Sequence, residues 1–174
     1  VFIDISGFTA ISEREPPDVV IQLLNKYFDI IVKAIIAEGG NVDKFMGDAV
    51  LAVFKDADHL GRAIRAAQSV NAHIQSIEDP LSEAQTFFPK VSIGINTGEV
   101  VSGNIGSETL RRFDYTVIGD VVNTAQRLQS AARPGQILIN QTTFEKTDDR
   151  FQFQKIGEVA LKNKAKPVVV YEVV

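Results

Sequence analysis

The chain has 174 residues, 45% of them hydrophobic, with 12 glycines and 6 prolines, which is enough for one well-buried core and short of two. A formal charge of -4 lacks the basic footprint of a nucleic-acid binder, so nucleic acid is not an expected partner. No cysteine is present, which removes disulfides, thiolate metal sites and a cysteine nucleophile and leaves carboxylates and histidines as metal ligands.

A single domain over residues 1–174 is expected. Its first residue already lies in a strand-like run, so it reads as a piece of a longer polypeptide whose regulatory segments lie outside it. No apolar run approaches a membrane span and no basic leader precedes one, so the piece reads as soluble and cytoplasmic, whatever the full-length protein is attached to.

Along the chain the hydrophobic period switches between two and 3.6, which predicts a mixed α/β fold. A strand at 1–5 comes first. Pro16-Pro17-Asp18 then punctuates and offers Asp18 as N-cap of a helix burying Val19, Val20, Leu23, Leu24, Tyr27, Phe28, Ile31 and Ile35, with Gly39-Gly40 as its end. Residues 41–45 and 49–54 flank Met46-Gly47-Asp48 as a β-hairpin with an acid in its turn. A second helix over 60–77 buries Leu60, Ile64, Ala67, Val70, Ile74 and Ile77, and 90–96 returns as a strand. Strand, helix, hairpin, helix, strand is the βαββαβ order of ferredoxin-like folds, an antiparallel sheet with helices on one face. Residues 79–89 read as a mobile surface loop, and Gly98, Gly103 and Gly106 punctuate 97–105 as a bulged hairpin. From Asp114 the chain adds a strand, a helix over 121–131, a strand over 136–140 and a terminal pair at 152–160 and 168–173.

Most of the 22 acidic residues must be solvated surface charges. Asp4 and Asp48 differ by position. One closes the first strand and the other occupies the hairpin of its expected neighbours, so the two carboxylates can converge at one sheet edge. Oxygen ligands of this kind suit Mg²⁺ or Mn²⁺, which take further oxygens from substrate phosphates. The turn Ile5-Ser6-Gly7-Phe8-Thr9 is small enough to aim backbone N–H groups at an anion, although it is neither a Walker A loop nor a GxGxxG fingerprint. Asn123 and Arg127 lie one helical turn apart, while Val122, Ala125 and Leu128 can face the core. Together these features read as a phosphoryl-transfer site. His59 and His73 lie far from every motif and read as surface residues.

In combination, the segments 2–9, 40–54, 91–106 and 113–128 resemble the catalytic domain of class III nucleotidyl cyclases, most closely the bacterial class IIIb adenylate cyclases. The resemblance covers essentially the whole chain. It implies the class III cyclase fold, a ferredoxin-like core with extra C-terminal strands and helix. It also implies a head-to-tail homodimer in which each site takes metals from one subunit and base-reading and transition-state groups from the other.

By that resemblance Asp4 and Asp48 hold two Mg²⁺ or Mn²⁺ ions with the carbonyl of Ile5, and the amides of Phe8 and Thr9 meet the β- and γ-phosphates. Lys44 and Thr116 read the base, Asn123 orients the ribose and Arg127 stabilises the pentavalent phosphate. Lys162 binds the triphosphate, with Lys164 as the alternative for that role. The reaction implied is attack of the ribose 3′-OH on the α-phosphorus, which closes 3′,5′-cyclic AMP and expels pyrophosphate.

Adenine presents an acceptor at N1 and a donor at N6, complementary to a lysine ammonium and a hydroxyl acceptor. Guanylyl members typically carry Glu and Cys where this chain has Lys44 and Thr116, so ATP is the expected substrate. Threonine in place of the commoner Asp resembles the class IIIb subgroup, some members of which respond to bicarbonate. Guanylate cyclase activity and a non-catalytic nucleotide-binding module stand as alternatives. A diguanylate cyclase signature and the basic tracks of a polymerase palm are both missing.

Overall fold

The computed structural model describes residues 1–77, 89–109, 111–162, 164 and 166–174, with the side chain of Arg112 outside the description. The loop expected at 79–89 therefore lies, except for Pro89, outside the described residues.

The expected core forms. Strand β1 (Phe2–Ser6) leads into a short helix α1 (Phe8–Ser12) and then the long helix α2 (Pro17–Ala37). Pro16 is the N-cap of α2 and Pro17 its first residue, which puts Asp18 inside the first turn and corrects its reading as the cap. Proline suits that place because the missing N–H has no partner there in any case. The far end closes as expected. Gly39 takes φ 67, its N–H meets the Ile36 carbonyl, and the Gly40 N–H reaches back to Ile35, a Schellman arrangement that satisfies the last carbonyls.

The hairpin follows as β2 (Asn41–Met46) and β3 (Ala49–Val53), then α3 (His59–Gln75) and β4 (Lys90–Ile95). Helix α3 ends at Gln75, so Ile77 packs on the core from beyond it. These four strands lie in the order β2-β3-β1-β4, every pair antiparallel, which is the ferredoxin-like arrangement.

The rest of the chain extends this core. Strands β5 (Val101–Ser107) and β6 (Arg112–Ile118) form a separate two-stranded arm. No hairpin turns within 97–105; Gly98 stands at a bend before β5, while Gly103 and Gly106 lie inside one continuous strand, 101–107, in regular register with β6. Helix α4 (Asp120–Ala131), strand β7 (Ile137–Asn140), a single turn α5 (Gln141–Phe144), β8 (Phe153–Val159) and β9 (Val168–Val173) complete the fold. β7 joins β4 in parallel, and β9 and β8 continue the sheet to seven strands, so the sheet is mixed rather than purely antiparallel.

Both faces of the sheet are covered. Ile3, Ile5, Val50, Ala52, Val91, Ile93 and Ile95 pack under α2 and α3. The alternate residues Phe2 and Leu51 pack with Val117 and Ala125 under the arm and α4. Gly94 lets α4 approach: a Cβ there would land on the Ala125 carbonyl and the Gln129 amide. The expectation of helices on one face thus holds for the core alone. Among the described residues no helix is long and apolar enough to cross a membrane.

Candidate active site

Strand alternation decides which way Asp4 points. Ile3 and Ile5 are buried against α2 and α3, so Asp4 projects with Phe2 to the opposite face, where it remains half-buried. Asp4 pairs with Ala49 across β1 and β3, and the Ile5 N–H donates to the Asp48 carbonyl at 3.3 Å. Residues 47 and 48 form a two-residue turn in which Gly47 takes φ 63. That turn holds Asp48 against the end of β1.

The two carboxylates are close enough to feel each other. Burial, and then the Asp48 charge, pushes the Asp4 carboxyl up from 3.8 to about 6. Neither acid has a cationic partner among the described residues, and no group of three or more acidic or histidine ligands forms there. Two adjacent carboxylates without a counter-charge fit a divalent cation that draws its remaining oxygens from water and phosphate. Directly beyond, Gly7 turns the chain with φ 81, Phe8 is buried as an anchor, and Thr9 is exposed. The first amides of α1 are thereby presented beside the acids.

A second group forms on α4. Ala125 and Leu128 are buried, Asn123 is exposed and Arg127 is half-buried, as the periodicity predicts. Asn123, Arg127 and Lys162 line one cleft together with Gln126, Ser130 and Leu161. Lys164 lies close by, its ammonium 2.7 Å from Asp120 Oδ2. Asp120 also lies 3.6 Å from Arg127 Nη1, and its carboxyl is held below the usual range, chiefly by the Lys164 hydrogen bond. Asp120 is not among the residues expected at the site, although two helical turns separate it from Arg127 and place both on one face.

The third group joins β2 to β6. Thr116 is buried, and its hydroxyl donates to Asp43 Oδ2 at 2.7 Å. Lys44 Nζ stands 3.6 Å from the same oxygen. Lys44 and Thr116, 72 positions apart in sequence, therefore meet on one carboxylate that no motif singles out.

Of the two histidines, His73 is exposed as expected. His59 is not a simple surface residue: half-buried, it has Nε2 2.7 Å from Thr97 Oγ1 and Nδ1 3.1 Å from the Asp56 carbonyl.

A βαββαβ core thus carries a carboxylate pair at one strand end and an Asn–Arg–Lys cleft along α4. The chain belongs to the adenylate and guanylate cyclase catalytic domain family, whose profile it matches over residues 1–173. It is 36% identical over 180 aligned residues to the terminal-differentiation specific adenylate cyclase of Dictyostelium discoideum, covering 99% of this chain and only 8% of that relative's length.

Among solved structures, the adenylyl cyclase CyaB of P. aeruginosa superimposes with TM-score 0.86 at 34% identity, covering 99% of this chain and 91% of that one. The guanylate cyclase domain of RhGC from Catenaria anguillulae, in complex with GTP, gives TM-score 0.88 at 27% identity, with 99% and 93% covered. Adenylyl and guanylyl relatives thus fit the backbone equally well, and the fold alone does not choose the base. Members of this family use divalent metal ions.

Proposed function

We propose that this domain is an adenylate cyclase that converts ATP to 3′,5′-cyclic AMP and pyrophosphate at composite sites of a homodimer. The observation that carries the reading is the convergence of Asp4 and Asp48, uncompensated, in a chain that also gathers Asn123, Arg127 and Lys162 in one cleft.

In this reading Asp4 and Asp48, with the Ile5 carbonyl, hold two Mg²⁺ or Mn²⁺ ions per site. Those ions supply charge neutralisation on the triphosphate and acidify the ribose 3′-hydroxyl. The Phe8 and Thr9 amides receive the β- and γ-phosphate oxygens. Asn123 orients the ribose for in-line attack, and Arg127 places its guanidinium against the charge that grows on the α-phosphoryl oxygens. Lys162, which shares the cleft with both, is favoured over Lys164 as the triphosphate ligand, since Lys164 is engaged by Asp120. Lys44 donates to adenine N1 and Thr116 accepts from N6; guanine would present the opposite pattern to both.

The homodimer is supported by apolar surface. Val101 is 75% exposed, Tyr115 61%, Phe113 and Ile118 51%, and Ile105 and Phe45 50%, a concentration on the arm and β2 that water disfavours and a second copy would cover.

Purified protein incubated with Mn²⁺ and either ATP or GTP tests the activity by cyclic product and pyrophosphate release. Cyclic AMP well in excess of cyclic GMP supports the reading. Neither product, from protein shown to be folded and dimeric, sinks it in favour of a nucleotide-binding module. Repeating the assay with added bicarbonate tests the response associated with the threonine-bearing subgroup.

A further inference from the structure

Strand β2 does not pair evenly with β3. Val42 lies opposite Ala52 and Lys44 opposite Leu51, so Asp43 is the extra residue of a β-bulge. A regular strand would send consecutive side chains to opposite faces; the bulge breaks that alternation and re-aims one of them. Here it brings the Asp43 carboxylate beside the Lys44 ammonium while leaving the Asp43 side chain only 6% exposed. A carboxylate buried to this extent needs partners. It has two: the Lys44 Nζ, 3.6 Å from Oδ2, and the Thr116 hydroxyl, which donates to the same oxygen at 2.7 Å.

The chemical consequence lies in the hydroxyl. A threonine side chain has one proton and two lone pairs, and free in solution it donates or accepts as its surroundings ask. With the proton committed to Asp43, the Thr116 oxygen is left to act only as an acceptor toward anything that approaches it. An exocyclic amine satisfies such an oxygen, whereas a carbonyl oxygen meets it lone pair to lone pair. Opposite Thr116, on β5, stands Gly103, where a Cβ would meet no atom within 4 Å.

We propose that Asp43 is a positioning residue for base selection, fixing Thr116 as an acceptor beside the Lys44 donor so that the pair selects adenine over guanine. The inference rests on the cyclase reading in placing Lys44 and Thr116 at the base, and goes beyond it in assigning the polarity of the Thr116 hydroxyl to a third residue. The competing role is mechanical, a staple between β2 and the arm. A staple predicts equal losses with either nucleotide.

The test compares kcat/KM for ATP and GTP in the wild type, Asp43→Ala, Asp43→Asn, Thr116→Val and the Asp43→Ala/Thr116→Val double variant. Binding of 3′-deoxy-ATP and 3′-deoxy-GTP, which lack the reacting hydroxyl, is measured by calorimetry alongside. Freed from Asp43, the Thr116 hydroxyl can turn and donate, so Asp43→Ala should lower the ATP-to-GTP ratio by about tenfold, the order expected when one polar contact is misdirected. Thr116→Val should lower it similarly, and the double variant no further, because Asp43 acts through Thr116. Asp43→Asn, whose carbonyl oxygen still accepts the hydroxyl proton, should keep most of the ratio.

Equal falls for both nucleotides in Asp43→Ala, or additive effects in the double variant, overturn the proposal. A ratio lost in Asp43→Asn overturns it too, and that variant together with Thr116→Val decides the matter even if Asp43→Ala does not fold. Failure of the wild type to form any cyclic product would remove the cyclase reading, while the deoxynucleotide binding ratio would still report on Asp43.

Discussion

The acid pair and the helix α4 cleft handle charge in opposite ways. Asp4 and Asp48 are left facing each other, with Asp4 driven up to about 6 by burial and by its neighbour. Of the cations that the proposed function uses, Arg127 on α4 is paired with Asp120, which also binds Lys164, and Lys44 on β2 is paired with Asp43. One region stores repulsion that a cation relieves. The other holds Arg127 in an ion pair within the chain, which must exchange partners when a triphosphate arrives. The difference teaches where substitutions will matter, because an uncompensated site has no substitute for its own groups, whereas an exposed and screened pair contributes little.

The largest effect should come from Asp48→Ala. Losing one carboxylate removes charge stabilisation worth several kcal/mol in the transition state, so turnover should fall about 10³-fold. Near wild-type turnover in Mn²⁺ would break the comparison at its root. Arg127→Ala should cost roughly 10²–10³ in kcat with a smaller change in KM, as for a donor aimed at developing charge. Mixing these two inactive proteins under subunit exchange should restore roughly one quarter of wild-type activity, since about half of the dimers then carry one intact site of two. No recovery despite proven exchange would argue that each site is built within one chain.

Asp4→Asn sharpens the contrast from the stability side. The folded carboxyl titrates near 6 against 3.8 for an ordinary Asp, so its ionisation disfavours folding at neutral pH, and without divalent ions stability should rise as the pH falls from about 7 toward about 4. The variant should lose that slope and melt a few degrees higher near pH 7.5 while being inactive. An unchanged melting temperature and an unchanged slope would show that the acids do not repel each other. Smallest of all, Asp120→Asn should change the KM for ATP by less than about fivefold, because the group is exposed and its pairs are screened. A hundredfold change would mean that Asp120 belongs to the site rather than standing in for phosphate.

Much of this was legible in the chain. The apolar stripes of α2 and α3 and the hairpin around Gly47 gave the core order, because long periodic segments and two-residue turns carry their own signal. Helices α1 and α5, five and four residues long, are too short for any periodicity to register. The parallel β4–β7 pair and the placing of α4 on the second face depend on contacts distant in sequence, above all the close approach at Gly94. The spacing of Asn123 and Arg127 showed directly on their helix. Asp43 did not show at all: simple alternation would have put it on the face away from Lys44, and only the slipped register between Val42 and Lys44 brings the two together.

Gly94 also determines what can move. With the backbone of α4 seated directly on β4 at Gly94, and Ala125 packed with Phe2 and Leu51, Asn123 and Arg127 ride on the same slab as Asp4. Within one protomer the spacing from acid to arginine is thus nearly invariant. In the homodimer proposed above, the adjustable quantity would be the angle at which two such slabs meet.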